Sequence, residues 1–196
     1  MTDFWLPHLA FTLLAFLLLA PLGRSRPLQV VKLFTCLLLS LLPVQGISLA
    51  LQLRTYIGDL SVASLVLLGW ATLSRFGVPP TSAGDRLASL ALFAGLAVLL
   101  YPAALGLSYA DPYQLGFEPR PMLMVLGLLC VVLIVQRSWL GALALVLATL
   151  AFTLSLGASE NYWDYLIDPY LALYSLGALL SAAVRWLLAR PTRKLA

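Results

Sequence analysis

Seven apolar runs, separated by short segments holding most of the charges, prolines and glycines, occupy the sequence from Phe4 to Ala189. Such runs constrain folding strongly. In apolar surroundings every backbone N–H and C=O must be satisfied internally, and an α-helix does this within one segment. Roughly 20 apolar residues suffice for a helix to cross the hydrocarbon core of a bilayer. The runs predict helices over Phe4–Gly23, Leu33–Leu53, Leu60–Leu73, Leu87–Leu107, Met122–Val135, Trp139–Gly157 and Tyr170–Ala189. The third and fifth are short for a full crossing, and Pro43 is expected to kink the second. The expected fold is an all-α integral membrane protein, a compact bundle of seven transmembrane helices forming one domain over residues 1–196.

Orientation follows from the basic residues. With the N-terminus outside and the C-terminus cytoplasmic, ten of the twelve Lys and Arg residues fall on the cytoplasmic side, leaving Arg54 and Arg120 outside. Cytoplasmic loops carry such an excess of Lys and Arg. The same arrangement puts seven of the eight acids outside and only Asp85 inside. The N-terminal run carries Asp3 and no Lys or Arg, unlike the basic start of a signal peptide, so it is expected to be retained as the first helix. The net charge of +4 is thereby explained by loop bias, and no nucleic-acid partner is expected. Overall, 62% of residues are hydrophobic and 10% charged, against about 25% charged in soluble domains. This favours a multi-pass inner-membrane location. Cys36 and Cys130 both lie inside apolar runs, without the spacing of a disulfide framework or zinc site.

The unusual residues gather on the expected outer face. Between the sixth and seventh runs the sequence reads Glu-Asn-Tyr-Trp-Asp-Tyr-Leu-Ile-Asp-Pro-Tyr from Glu160 to Tyr170. In a short interfacial helix before the last span, Glu160, Asp164 and Asp168 would form one acidic stripe, at i, i+4 and i+8. Trp163, Ile167 and Tyr170 would then face the lipid headgroups. Asp111 and Asp168 both precede proline, which suits a helix N-cap, and Asp168→Asn is therefore expected to be mild. Glu160 and Asp164 would seek cations, and Arg120, between Pro119 and Pro121, is the expected partner, with Arg54 helping. Candidate catalytic groups are Glu160, Asp164 and His8, the only histidine. Candidate binding residues are Arg54, Arg120, Asp111, Tyr113, Glu118, Tyr162 and Trp163. Along the sixth run, Gly141, Ala144, Ala148, Ala151 and Ser155 form a small-residue stripe suited to close helix packing. Gln45, Ser48 and Gln52 make a polar stripe after Pro43.

No phosphate-binding Gly-rich loop ending in Lys-Ser/Thr is present, and no Gly-x-Ser-x-Gly elbow. No metal-ligand spacing appears, and no cofactor is expected. These features favour a small accessory or scaffold subunit of an envelope lipid or polysaccharide system, partnered by the bilayer and a larger membrane protein. A second reading is an enzyme acting on a lipid-linked substrate at the outer leaflet, with Arg54 and Arg120 on phosphate and Glu160 or Asp164 as base. A third is a small-molecule transporter using the Gln45–Ser48–Gln52 stripe.

Overall fold

The computed structural model describes residues 5–19 and 25–189. Asp3, Arg24, Arg190, Arg193 and Lys194, which entered the charge count, lie outside the described residues. The described chain is all-α apart from one small hairpin, with nine α-helices. Helices α1 (Trp5–Leu18) and α2 (Arg26–Leu41) lead into the strands β1 (Pro43–Val44) and β2 (Ile47–Ser48). Next come α3 (Leu49–Ile57), α4 (Val62–Arg75) and α5 (Ala83–Ala104), then a 3-10 helix at Pro112–Gly116. The chain continues with α6 (Pro119–Val135), α7 (Trp139–Thr153), α8 (Trp163–Leu166) and α9 (Pro169–Leu188).

The starts follow local chemistry. Ser48, Ser61 and Ser82 cap α3, α4 and α5 by accepting the N–H of Leu51, Ser64 and Asp85. Such a side chain satisfies one of the orphan donors of a first helical turn. Pro27, Pro112 and Pro169 stand in first turns, where a missing N–H costs nothing.

Seven of these helices, all but α3 and α8, run alternately between two ends of a bundle. His8 at the start of α1 meets Ser40 at the end of α2, while Phe16 near the end of α1 stacks on Phe76 just beyond α4. Asp168 before α9 bonds Ser61 and Ser64 at the start of α4, and Asp85 at the start of α5 bonds Leu140 at the start of α7. One end carries Asp59, Asp111, Glu118, Glu160, Asp164 and Asp168; the other carries Arg26, Arg75, Arg86 and Arg137. They are called here the acidic and the basic end.

Helix α7 is central, packed against α4, α5, α6 and α8. The small-residue expectation holds over Gly141, Ala144, Ala148 and Ala151, all buried, with Ala144 and Ala148 fully enclosed. A Cβ on Gly141 would stand 3.1 Å from Ser89 Oγ, so the approach of α5 to α7 needs the small residue. Ser155 does not belong to the stripe. It lies beyond the helix end, in the left-handed region at φ 50°.

Pro43 does more than kink a helix. Helix α2 stops at Leu41, and the chain turns back through a hairpin with Gln45 and Gly46 at φ 54° and 89°. Two successive positive φ values make the tight turn that matches strand twist, and Pro43 leads a strand where no ladder N–H is required of it. The Gln45–Ser48–Gln52 stripe is absorbed in this reversal. Ser48 caps α3, and Gln52 Nε2 donates to Val44 O.

Helices α5 and α9 are long and apolar enough to cross a membrane, with mean hydropathy of 2.0 and 1.6. The described helices α1, α4, α6 and α7 are apolar but span only 10–17 residues each. Large apolar side chains are exposed as well as buried, including Phe34 on α2, Leu128 on α6 and Leu180 on α9. Apolar groups on both the inside and the outside of a bundle point to membrane association.

Candidate functional site

The acidic end is built on a knot between the 3-10 helix and the segment entering α8. Tyr162 N–H donates to Gly116 O at 3.0 Å. Asn161 Nδ2 donates to Tyr113 O at 2.9 Å, and Asn161 Oδ1 accepts the N–H of Trp163 at 2.9 Å. The Trp163 indole N–H donates to Pro112 O at 2.8 Å. Asn161, Tyr162 and Trp163 are all buried. Gly116 is the position that permits this, because a Cβ there would run into the Asn161 carboxamide and the Trp163 ring. Below the knot, Phe152 meets Tyr165 edge-on and Tyr162 at a tilt, and Tyr162 shares a hydrogen bond with Thr149 Oγ1. The candidate binding residues Tyr162 and Trp163 are therefore pillars under the site, not part of its wall. Trp163 does not face lipid headgroups.

The acidic stripe does not form. Helix α8 covers only Trp163–Leu166, and Ile167 is already extended at φ −152°, ψ 144°. The three carboxylates consequently meet three different environments. Glu160 is exposed ahead of the helix. Asp164 is exposed and accepts hydrogen bonds from Ser159 Oγ at 2.5 Å and Tyr113 OH at 3.0 Å. Asp168 is buried: Oδ1 accepts the N–H groups of Tyr170 and Leu171, while Oδ2 accepts the Ser61 N–H and the Ser61 and Ser64 hydroxyls. It caps α9 as its Asp-Pro pair predicts. It also holds the start of α4, so the expectation of a mild Asp168→Asn does not stand.

The expected clasp by Arg120 is likewise absent among the described residues. Arg54 pairs with Asp59 at 2.7 Å, five residues along its own chain. Arg120 is exposed in the first turn of α6. Glu118 sits at the α6 N-cap without a side-chain cap bond, and Asp111 caps the 3-10 helix through the N–H of Tyr113. His8 is tied to Ser40 at 3.1 Å. Since the Ser40 hydroxyl donates to Leu37 O, His8 Nδ1 is the donor in that contact.

Two depressions flank Asp164. A cavity of about 60 Å³ lies between the start of α1, α3 and the Ser159–Tyr165 segment, with Arg54 and Asp59 on its wall. An open cleft of about 800 Å³ lies between the end of α5, the 3-10 helix and the start of α9. Tyr101, Tyr109, Asp111, Tyr113 and Asp164 line it, together with Asp59. Of the candidate residues, the structure brings Asp111, Tyr113 and Asp164 into the cleft and Arg54 to the adjoining cavity. Glu118, Arg120, Glu160 and His8 line neither. The Tyr113 phenol is pushed up to about 12, first by burial, then by the Asp164 charge and the hydrogen bond it donates to that carboxylate. Burial also raises Tyr162, more than its bond with Thr149 lowers it.

Sequence reasoning passed over Gly116, Asn161 and Tyr101 here, and Asp85 at the basic end. Asp85 is buried and accepts from Ser138 Oγ at 3.0 Å and the Leu140 N–H at 3.2 Å. Ser82, three residues before Asp85, was the signal for its place in a first helical turn. Nothing local announced its reach to α7. The chain has no match among protein families, characterised proteins or solved structures.

Proposed function

We propose that this chain is a small accessory or scaffold subunit of a bacterial-type inner membrane, supporting an envelope lipid or polysaccharide system. In this reading all seven alternating helices cross the bilayer, the acidic end faces outward and the basic end faces the cytoplasm. Arg26, Arg75, Arg86 and Arg137 at one end agree with the known bias of cytoplasmic loops. One observation supports the non-catalytic reading most directly. The groups that an enzyme would bring to a lipid-linked phosphate are dispersed or already engaged. Arg54 is closed on Asp59, Arg120 and Glu160 stand outside both depressions, and His8 is bonded to Ser40. The transporter reading needed a polar path along the second span, and its glutamines and serine are used in the hairpin.

Two measurements test the proposal. A reporter active only outside the cytoplasm should work when fused after Gly58, Glu118 or Ser159, and fail after Val78 or Arg137. The same outcome after Glu118 and after Arg137, active at both or inactive at both, would remove α6 as a crossing. Tagged protein extracted from native membranes in mild detergent should carry a larger polytopic protein in fixed ratio. Recovery of the chain alone, across several detergents and after cross-linking in the membrane, would reject the subunit reading.

A further inference from the structure

We infer that the cleft at the acidic end is a docking groove for a basic segment of the partner, one presenting two or more Arg or Lys side chains. The inference rests on the subunit reading for the existence of a partner, and on the cleft for its chemistry. At about 800 Å³ and open to one side, the groove has room for several side chains. Its wall combines carboxylates with tyrosine rings at Tyr101, Tyr109 and Tyr113. Guanidinium and ammonium groups bind both features, through charge-assisted hydrogen bonds to carboxylates and through the negative faces of rings.

The charge is uncompensated within the groove. Asp59 has Arg54, but Asp111 is bonded by the Tyr113 N–H and Asp164 by two hydroxyls, none of them cationic. Arg120, the other described cation at this end, does not line the cleft. A single divalent ion is a poor occupant. Among the described residues no three His, Cys, Asp or Glu side chains converge as metal ligands. Tyr109 lines the cleft with its ring fully exposed, and so is open to a cation.

The test uses the full chain in phosphatidylcholine nanodiscs and two fluorescein-labelled peptides, one alternating Arg and Ser, the other Glu and Ser. Fluorescence anisotropy should show binding of the Arg peptide and none of the Glu peptide. The paired change Asp111→Asn with Asp164→Asn should weaken binding at least tenfold. The pair Glu118→Gln with Glu160→Gln removes the same charge outside the groove and should change it less than twofold. Tyr109→Ala, at a fully exposed position, should weaken binding severalfold with an unchanged melting temperature, which keeps the test valid if the aspartate pair unfolds. Equal losses in the two double variants would overturn the inference in favour of bulk charge. Displacement of the peptide by micromolar calcium would overturn it in favour of an ion site. If the peptide binds as stated while the chain purifies alone, the subunit reading fails and the groove stands. If a partner co-purifies and stays bound to the Asp111/Asp164 variant, the groove fails and the subunit reading stands.

Discussion

The two ends of the bundle each bury one aspartate, and they use it in the same way. At the basic end Asp85 lies in the first turn of α5 and receives donors from the start of α7. At the acidic end Asp168 caps α9 and receives donors from the start of α4. In both places a carboxylate meets helix N-termini, where unpaired N–H groups and the helix dipole favour negative charge. The ends differ in what lies outside that bond. Around Asp85 the exposed charges are arginines, whereas beside Asp168 there is a cleft whose other carboxylates, Asp59, Asp111 and Asp164, remain exposed. Burial with full hydrogen bonding marks the aspartates that hold the bundle together. Exposure with spare acceptor capacity marks those free to meet a ligand.

The sharpest way to break this comparison is Asp168→Ala. It would leave three N–H groups, two of them buried, and two hydroxyls without their acceptor. Each buried donor left unsatisfied costs about 1–3 kcal/mol, so the variant should fail to survive detergent extraction as a folded species. Asp168→Asn keeps a cap on α9 but turns an amide donor toward the Ser61 N–H or the cap. It should still cost about 1–3 kcal/mol, as expected for an unsatisfied buried group. A melting temperature within a degree of the parent would show that water serves these donors instead.

Gly116→Ala should rank next. Its Cβ must displace Asn161 or Trp163, and overpacking of this kind costs about 1–3 kcal/mol. The accompanying signature is a change in the fluorescence of the buried Trp163. A parent-like spectrum and stability together would mean the knot is looser than its hydrogen bonds imply.

Asp85→Asn tests the same chemistry at the other end. Ser138 Oγ can still find Asp85 O at 3.3 Å, so fewer donors are stranded than at Asp168. We expect about 1–2 kcal/mol, the lower part of the range for a buried group left unsatisfied. A loss larger than that of Asp168→Asn would reverse the ranking of the two ends. Smaller again is Asp59→Asn. Its partner Arg54 is 31% exposed and Asp59 54%, and exposed ion pairs contribute about 0.2–1 kcal/mol.

The smallest effect is one of pH. Because the Tyr113 pKa is raised in the folded protein, the protonated phenol is the form the fold favours. Its contribution is complete below the ordinary tyrosine value of about 10 and is lost as pH rises through about 12. Thermal scans from pH 8 to 12 should fall more steeply for the parent than for Tyr113→Phe. Identical slopes would separate Tyr113 from Asp164.

Much of the architecture is legible in the sequence because it depends on local quantities. Run length, the Lys and Arg placement, and the Ser, Asp and Pro residues at helix starts each act within a few residues. The small-residue face of α7 could be read for the same reason. Two misreadings had local signals that pointed the other way. Asp168 precedes Pro169, and a residue before proline is pushed from helical to extended backbone. A helical stripe through Glu160, Asp164 and Asp168 was therefore in conflict with its own last member. Gln45-Gly46 after Pro43 was a weak turn signal, weaker than Asn-Gly, and a hairpin replaced the expected kinked helix.

The sequence by itself determined that the chain forms apolar helices and that its acids and bases separate, since apolar periodicity and charge are properties of the segment. It also determined that Asp168 caps the last helix. Only the tertiary structure decided which carboxylates are consumed and which remain open. That choice depends on donors contributed from far along the chain, such as Ser61 and Ser64 for Asp168, Leu140 for Asp85 and Tyr113 for Asp164. A hydrogen bond between residues 51 to 107 positions apart has no local pattern to announce it, and it exists only once the helices have packed.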